Sequence, residues 1–153
     1  MFTTKQKFGL GRLYLDATAE AQRRGDRRVG TEHVTLALLV DPGYVTVRAL
    51  DVSLTTARNA LEALDRRALA SVGIESPPGP HVAVPGREKG RLRLTPGAKA
   101  VFTDLRKESK GERLGVQHVL LALLSRQQPD PAAELLDELG VDRAEVRRRL
   151  AAA

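Results

Sequence analysis

The chain has 153 residues, no cysteine, 42% hydrophobic but only 3% aromatic residues, and a net charge of +6. These figures exclude disulfides, thiol nucleophiles and thiolate metal sites, and they describe one domain, or two small packed ones, with a core of Leu, Val and Ala. The excess of arginine admits nucleic acid or acidic partners, but it also describes ordinary solvated helix faces, and that plainer reading is favoured.

At the N-terminus, MFTTKQKFGLGRL lacks the unbroken apolar stretch of a signal peptide, so a cytoplasmic location is the default. Thr3 or Thr4 can cap a first helix that runs irregularly through Gly9 and Gly11 and then firmly to about Arg24. Leu13, Ala17 and Ala21 form its apolar stripe, and Gly25 ends it. A loop leads to GTEHVTLALLV at 30–40, a helix with Thr31 as expected N-cap, broken by Asp41-Pro42-Gly43. A short helix over 45–50 follows. Ser53 then caps a long helix whose seam is Leu54, Ala57, Leu61, Leu64 and Ala68.

From 72 to 93 prolines and glycines alternate, which predicts a linker without regular structure. Thr95-Pro96 is a strong helix start, and Ala98, Val101, Phe102 and Leu105 make the buried face. GVQHVLLALLS at 115–125 gives a further helix. Asp130-Pro131 starts another that Gly140 closes, and Asp142 with Glu145 resembles a capping box before the last.

The blocks at 30–40 and 115–125 align without a gap, at an offset of 115 − 30 = 85. Each is apolar almost all round and must be enclosed by other helices. Neither approaches the roughly 20 apolar residues needed to cross a bilayer. Leu50-Asp51-Val52-Ser53 parallels Leu139-Gly140-Val141-Asp142 at 139 − 50 = 89, which places a four-residue insertion near 127–131. The expectation is an all-α protein of about eight helices: two pseudo-repeated four-helix units forming one compact domain over 1–153. Repeat one covers 1–71, the linker 72–93 and repeat two 94–153.

GTEHVTLALL, a short helix and LDVS, then LTPGAK and GVQHVLLALL ending in LGVD, resemble the double repeat of the Clp N-terminal domain. That is the substrate- and adaptor-receiving module at the front of ClpA- and ClpC-type unfoldases. The resemblance covers nearly the whole chain. The linker is longer and richer in proline than the family pattern, and 108–113 is shorter. Nothing matches G-x-x-x-x-G-K-[ST], so the chain itself is not an ATPase. Met1 and the divergent repeats lead to the expectation of a divergent stand-alone member.

His33 and His118 occupy equivalent positions, but neither has a His, Cys or carboxylate at i+3 or i+4. Those places hold Leu36 and Ala37, and Leu121 and Ala122. A structural hydrogen bond to a loop or helix end is favoured over a metal role for both. His81 lies in the linker. No serine has the setting of a nucleophile, so a non-enzyme without cofactor or metal is expected.

In the ClpC-type modules that the chain resembles, the acidic residue of each G-T-E-H contributes to a pocket for phosphorylated arginine. The resemblance therefore implies a ligand site at Thr31 and Glu32, with Gln117 as the uncharged counterpart in repeat two, where Val116 replaces the threonine. A carboxylate can grip a guanidinium through two parallel hydrogen bonds. The alternative for Glu32 is an acidic residue favoured by the helix dipole. The implied partners are proteins: unfoldase substrates or adaptors, some bearing phospho-arginine. The chain would receive them or act as a decoy. Cyclic peptide antibiotics enter by the same resemblance, and no membrane role is implied. The rival function is a small basic helical regulator binding nucleic acid through Arg143, Arg147, Arg148 and Arg149, although no aromatic residue interleaves with them to stack on bases.

Overall fold

A computed structural model describes residues 9–75 and 92–153. Those residues form nine helical segments and a minimal pair of strands: α1 (Leu10–Arg23), β1 (Arg28–Val29), α2 (Thr31–Ala37), α3 (Val45–Leu50), α4 (Leu54–Ser71), β2 (Arg93–Leu94), α5 (Pro96–Thr103), α6 (Leu105–Ser109), α7 (Val116–Leu124), α8 (Pro131–Glu138) and α9 (Arg143–Ala152). Only Asp104 separates α5 from α6, so the count of eight helical bodies holds if that pair is taken as one kinked helix. The protein is all-α in class. Thr3, Thr4, His81 and most of the expected linker at 72–93 lie outside the described residues.

The helix starts follow from local chemistry. Ser53 Oγ accepts from Thr56 N–H at 3.1 Å, Thr95 Oγ1 from Ala98 N–H at 3.2 Å, and Asp130 Oδ1 from Ala132 N–H at 2.9 Å. Each satisfies a donor that the first helical turn leaves unpaired. Asp142 Oδ1 caps α9 by accepting from Glu145 N–H at 3.2 Å, but the Glu145 carboxylate turns to Arg148 and Arg149 rather than back to the cap. Only half of the expected capping box forms there.

The two apolar blocks are enclosed as their composition requires. Val34, Leu36, Ala37 and Leu38 in the first, and Val119, Leu120 and Leu123 in the second, have no accessible surface. The contacts between elements show how this is achieved. α2 packs on α8 as α7 packs on α3, α4 packs on α8 as α9 packs on α3, and α2 meets α7 directly. Exchanging the two halves maps this set onto itself, which is the signature of a pseudo-twofold axis running between α2 and α7. The equivalence reaches into the backbone: Gly25 and Lys110, again 85 apart, are both left-handed, at φ 76° and 49°.

Three details differ from the sequence expectation. Helix α2 stops at Ala37, and the chain continues to Val40 by tighter turns in which Leu39 N–H donates to Leu36 O and Val40 N–H to Ala37 O. The seam of α4 is buried at Ala57 and Leu61, half-buried at Leu64 and open by Ala68. Finally, β1 and β2 pair in parallel, Arg28 with Arg93 and Val29 with Leu94. Two-residue strands carry no periodicity by which a sequence could announce them. This pairing, with Thr95 N–H donating to Val29 O at 2.9 Å, fixes the 26–30 loop beside the start of α5.

Candidate functional site

The N-cap of α2 is Gly30, not Thr31. With no side chain at the cap, the capping role falls to the residue at N3: His33 Nδ1 accepts from Gly30 N–H at 2.9 Å. The second half repeats this arrangement, His118 Nδ1 accepting from Gly115 N–H at 2.9 Å. Both histidines are buried. Their shared position thus serves the start of a helix, and among the described residues no cluster of His, Asp and Glu could hold a metal ion.

Thr31, freed from capping its own helix, reaches across the pseudo-twofold axis. Its hydroxyl donates to Asp130 Oδ1 at 2.7 Å and accepts from Ala132 N–H at 3.1 Å, so it helps to cap α8. Val116, its buried counterpart, has no hydroxyl with which to make such a bond. The Thr31 side chain is committed to the contact between the halves.

Glu32 and Gln117 take the same pose. A Cβ added to Gly30 would lie 1.9 Å from Glu32 Oε1, and one added to Gly115 would lie 2.3 Å from Gln117 Oε1. Each side chain therefore folds back over its helix start, and glycine is the residue that leaves it room. In the first half Glu32 Oε1 also comes within 3.0 Å of His33 Nδ1.

Glu32 opens onto a pocket of about 390 Å³ between the end of α1, the 26–30 loop, the start of α2 and α4. Its wall carries a chain of alternating charge. Asp65 pairs with Arg24, Arg24 Nε donates to Asp26 Oδ2 at 3.1 Å, and Asp26 Oδ2 lies 2.7 Å from His33 Nε2. Burial would raise the pKa of Asp26, but hydrogen bonds from His33 and Arg24 hold it below the ordinary carboxylate value. Burial likewise pulls His33 down. Its hydrogen bonds to Asp26 and Glu32, with their charges, outweigh that and leave its pKa raised to about 9. His33 Nδ1 consequently has two competing partners. The neutral ring accepts from Gly30 N–H, whereas the imidazolium must donate to Glu32 instead.

Two further residues line this pocket, Arg27 and Arg28. Both are exposed, and among the described residues neither makes an ion pair. In the sequence they fall in the loop before α2. The available signal was RRGDRRVG immediately before the Thr31-Glu32 pair, a density of arginine that a plain connecting loop does not need. Glu32 and Gln117 belong to different halves, each beside its own glycine and histidine.

The C-terminal arginines are mostly engaged. Arg143 pairs with Asp137 at 3.0 Å, Arg148 with Glu145, and Arg149 donates to Ala49 O at 2.9 Å at the end of α3. These partners compete with any phosphate backbone for the same donors. No helix among the described residues is long and apolar enough to cross a membrane.

The comparisons with known proteins agree with this architecture. The chain is 31% identical over 140 residues to a probable ATP-dependent Clp protease ATP-binding subunit of Chlamydia pneumoniae, an alignment covering 88% of this chain and 15% of that protein. It is 29% identical to a ClpA homolog of Cyanidium caldarium and to a chloroplastic chaperone protein ClpC of Pisum sativum, over 88% of this chain in each case and 14% and 13% of theirs. The chain thus spans about 15% of the length of these relatives. The family model for the Clp repeat (R) N-terminal domain matches residues 12–128, and the chain belongs to that family.

Proposed function

We propose that this chain is a non-catalytic protein-binding module of Clp-type regulated proteolysis, acting in the cytoplasm on unfoldase substrates or adaptors. It would either receive these proteins or compete for them as a decoy. The single repeat-one site would recognise phosphorylated arginine. The supporting observation is the pocket beside α2, which presents the Glu32 carboxylate together with two guanidiniums, Arg27 and Arg28, that make no ion pair among the described residues. A phospho-arginine head group carries a guanidinium and a phosphate within a few ångströms, and a pocket bearing both signs of charge complements it. Glu32 would take the guanidinium through parallel hydrogen bonds. Thr31 does not line the pocket and contributes only by tying the start of α2 to that of α8, its oxygen shared between Asp130 and Ala132. Gln117 offers an acceptor without charge in the second half, so that site is the weaker one. Cyclic peptide antibiotics, as ligands of related modules, remain a secondary class of partner by family likeness alone.

Titration calorimetry with phospho-arginine tests the site. The expected result is at most one site per chain, weakened about ten- to a hundredfold by Glu32→Ala, the loss of about 1.5–3 kcal/mol typical of a charge-assisted hydrogen bond. Gln117→Ala should change it little. Two equal sites, or binding indifferent to Glu32→Ala, would contradict the assignment.

A further inference from the structure

The exchange symmetry of the fold allows each side chain to be compared with its counterpart in the other half, and one arginine fails to match. On α4, Arg58 grips the buried Glu20 of α1 with two hydrogen bonds, Nε to Oε2 at 3.1 Å and Nη2 to Oε1. Ser53 and Asp142 cap the equivalent helices α4 and α9 at an offset of 142 − 53 = 89, so Arg58 corresponds to Arg147 (147 − 58 = 89). Glu20 corresponds to Leu105 (105 − 20 = 85), which is also buried. The arginine stands in both halves, its carboxylate in only one. Arg147 is exposed, and among the described residues it reaches only Ser125 Oγ, at 3.5 Å.

Arg147 lines a second pocket, of about 500 Å³, formed by the end of α7, the 125–130 loop, α8 and α9. Arg126 and Arg143 line it too, against a single carboxylate, Asp137. That carboxylate is already taken by Gln128 Nε2 at 2.6 Å and Arg143 Nη1 at 3.0 Å. Arg126 is tied through Nε to Asp130 at 3.1 Å. Arg143 Nε is buried and makes no hydrogen bond. A pocket lined by three guanidiniums, one of them without a carboxylate among the described residues, is electrostatically suited to a further anion.

We propose that this pocket binds a carboxylate-bearing peptide segment of a partner protein, which would give Arg147 the partner that Glu20 gives Arg58. A carboxylate is favoured because the fold itself sets one against the matching arginine. Nucleic acid is disfavoured because Asp137 faces into the pocket and no aromatic side chain lines it. This site is separate from the Glu32 pocket, and its test does not depend on phospho-arginine.

The experiment is fluorescence anisotropy of a short labelled peptide alternating glutamate and alanine, titrated with the full chain at low salt. Arg147→Glu and Arg147→Gln are the test variants. Arg148→Glu, on the same helix but outside the pocket, is the charge-matched control. Binding should weaken about tenfold or more for Arg147→Glu, severalfold for Arg147→Gln, and less than about twofold for Arg148→Glu. Thermal melts by circular dichroism check that each variant is folded, and Arg147→Gln carries the comparison if Arg147→Glu is not. Absence of binding by the unaltered chain would overturn the proposal. So would equal losses in the Arg147 and Arg148 variants, the mark of a diffuse basic face. Displacement of the peptide by millimolar inorganic phosphate would reassign the pocket to phosphorylated ligands.

Discussion

Leu38→Asp and Leu123→Asp are each expected to abolish the folded state. Both leucines are wholly buried, one in the turn that ends α2 and the other in α7. An aspartate at either place would put a carboxylate where a fully buried leucine packs, and an unpaired buried charge costs several kcal/mol. That is comparable with the whole stability of a domain of this size, about 5–15 kcal/mol. Because α2 and α7 meet on the pseudo-twofold axis and each also touches the opposite half, loss of one central helix removes packing from both. Circular dichroism should show collapse of helical signal across the whole chain rather than half of it. Native helicity with an unchanged melting temperature in either variant would contradict the packing described above.

The second large effect is a loss of stability as the solution becomes alkaline. His33 titrates near 9 in the folded protein and near 6.5 when unfolded. The folded state therefore binds the proton more tightly, and the stabilisation is complete below about pH 6.5. It is lost progressively as pH rises through 9. A shift of this size corresponds to an upper bound of about 3.5 kcal/mol. Part of it is offset when the neutral ring regains Gly30 N–H, so a decline of about 1–3 kcal/mol is expected. Urea denaturation at pH 6, 7.5 and 9.5 measures it. His33→Gln should flatten the profile over this window. Glu32→Gln, which gives the first half the residue that the second half already has, should remove much of it. A slope unchanged in both variants would show that His33 is not the titrating group.

What the sequence revealed follows from which features repeat. The enclosed helices could be read directly, because blocks that are apolar almost all round after their first turn admit no surface position, and the gapless offset of 85 doubled the signal. The caps at Ser53, Thr95, Asp130 and Asp142 were legible because each acts within its own first turn. Thr31 was misread as a cap for the opposite reason. Its partners, Asp130 and Ala132, lie about a hundred residues away in the chain, and a local rule cannot see them. The histidine took the capping role because a glycine N-cap offers no side chain of its own.

The candidate site was legible in part. Glu32 and the loss of charge at Gln117 stood out from the two copies of the motif. Arg27 and Arg28 did not, since only the β1–β2 pairing fixes their loop beside the pocket. The Arg58–Glu20 pair and its missing counterpart were likewise hidden. Recognising them requires two different offsets, 89 along α4 and α9 and 85 along α1 and α6, together with the burial of Glu20 and Leu105.

The most direct test of the central claim is affinity capture from a native cytoplasmic extract on the immobilised chain, read by mass spectrometry, with a parallel mobility-shift assay on duplex DNA across a salt series. The expected result is enrichment of Clp components or of arginine-phosphorylated proteins, reduced when the bait carries Glu32→Ala, and no DNA shift at physiological salt. Recovery of no Clp-related or arginine-phosphorylated protein, together with a DNA shift that weakens steeply with salt, would contradict it and identify the chain as a nucleic-acid-binding regulator.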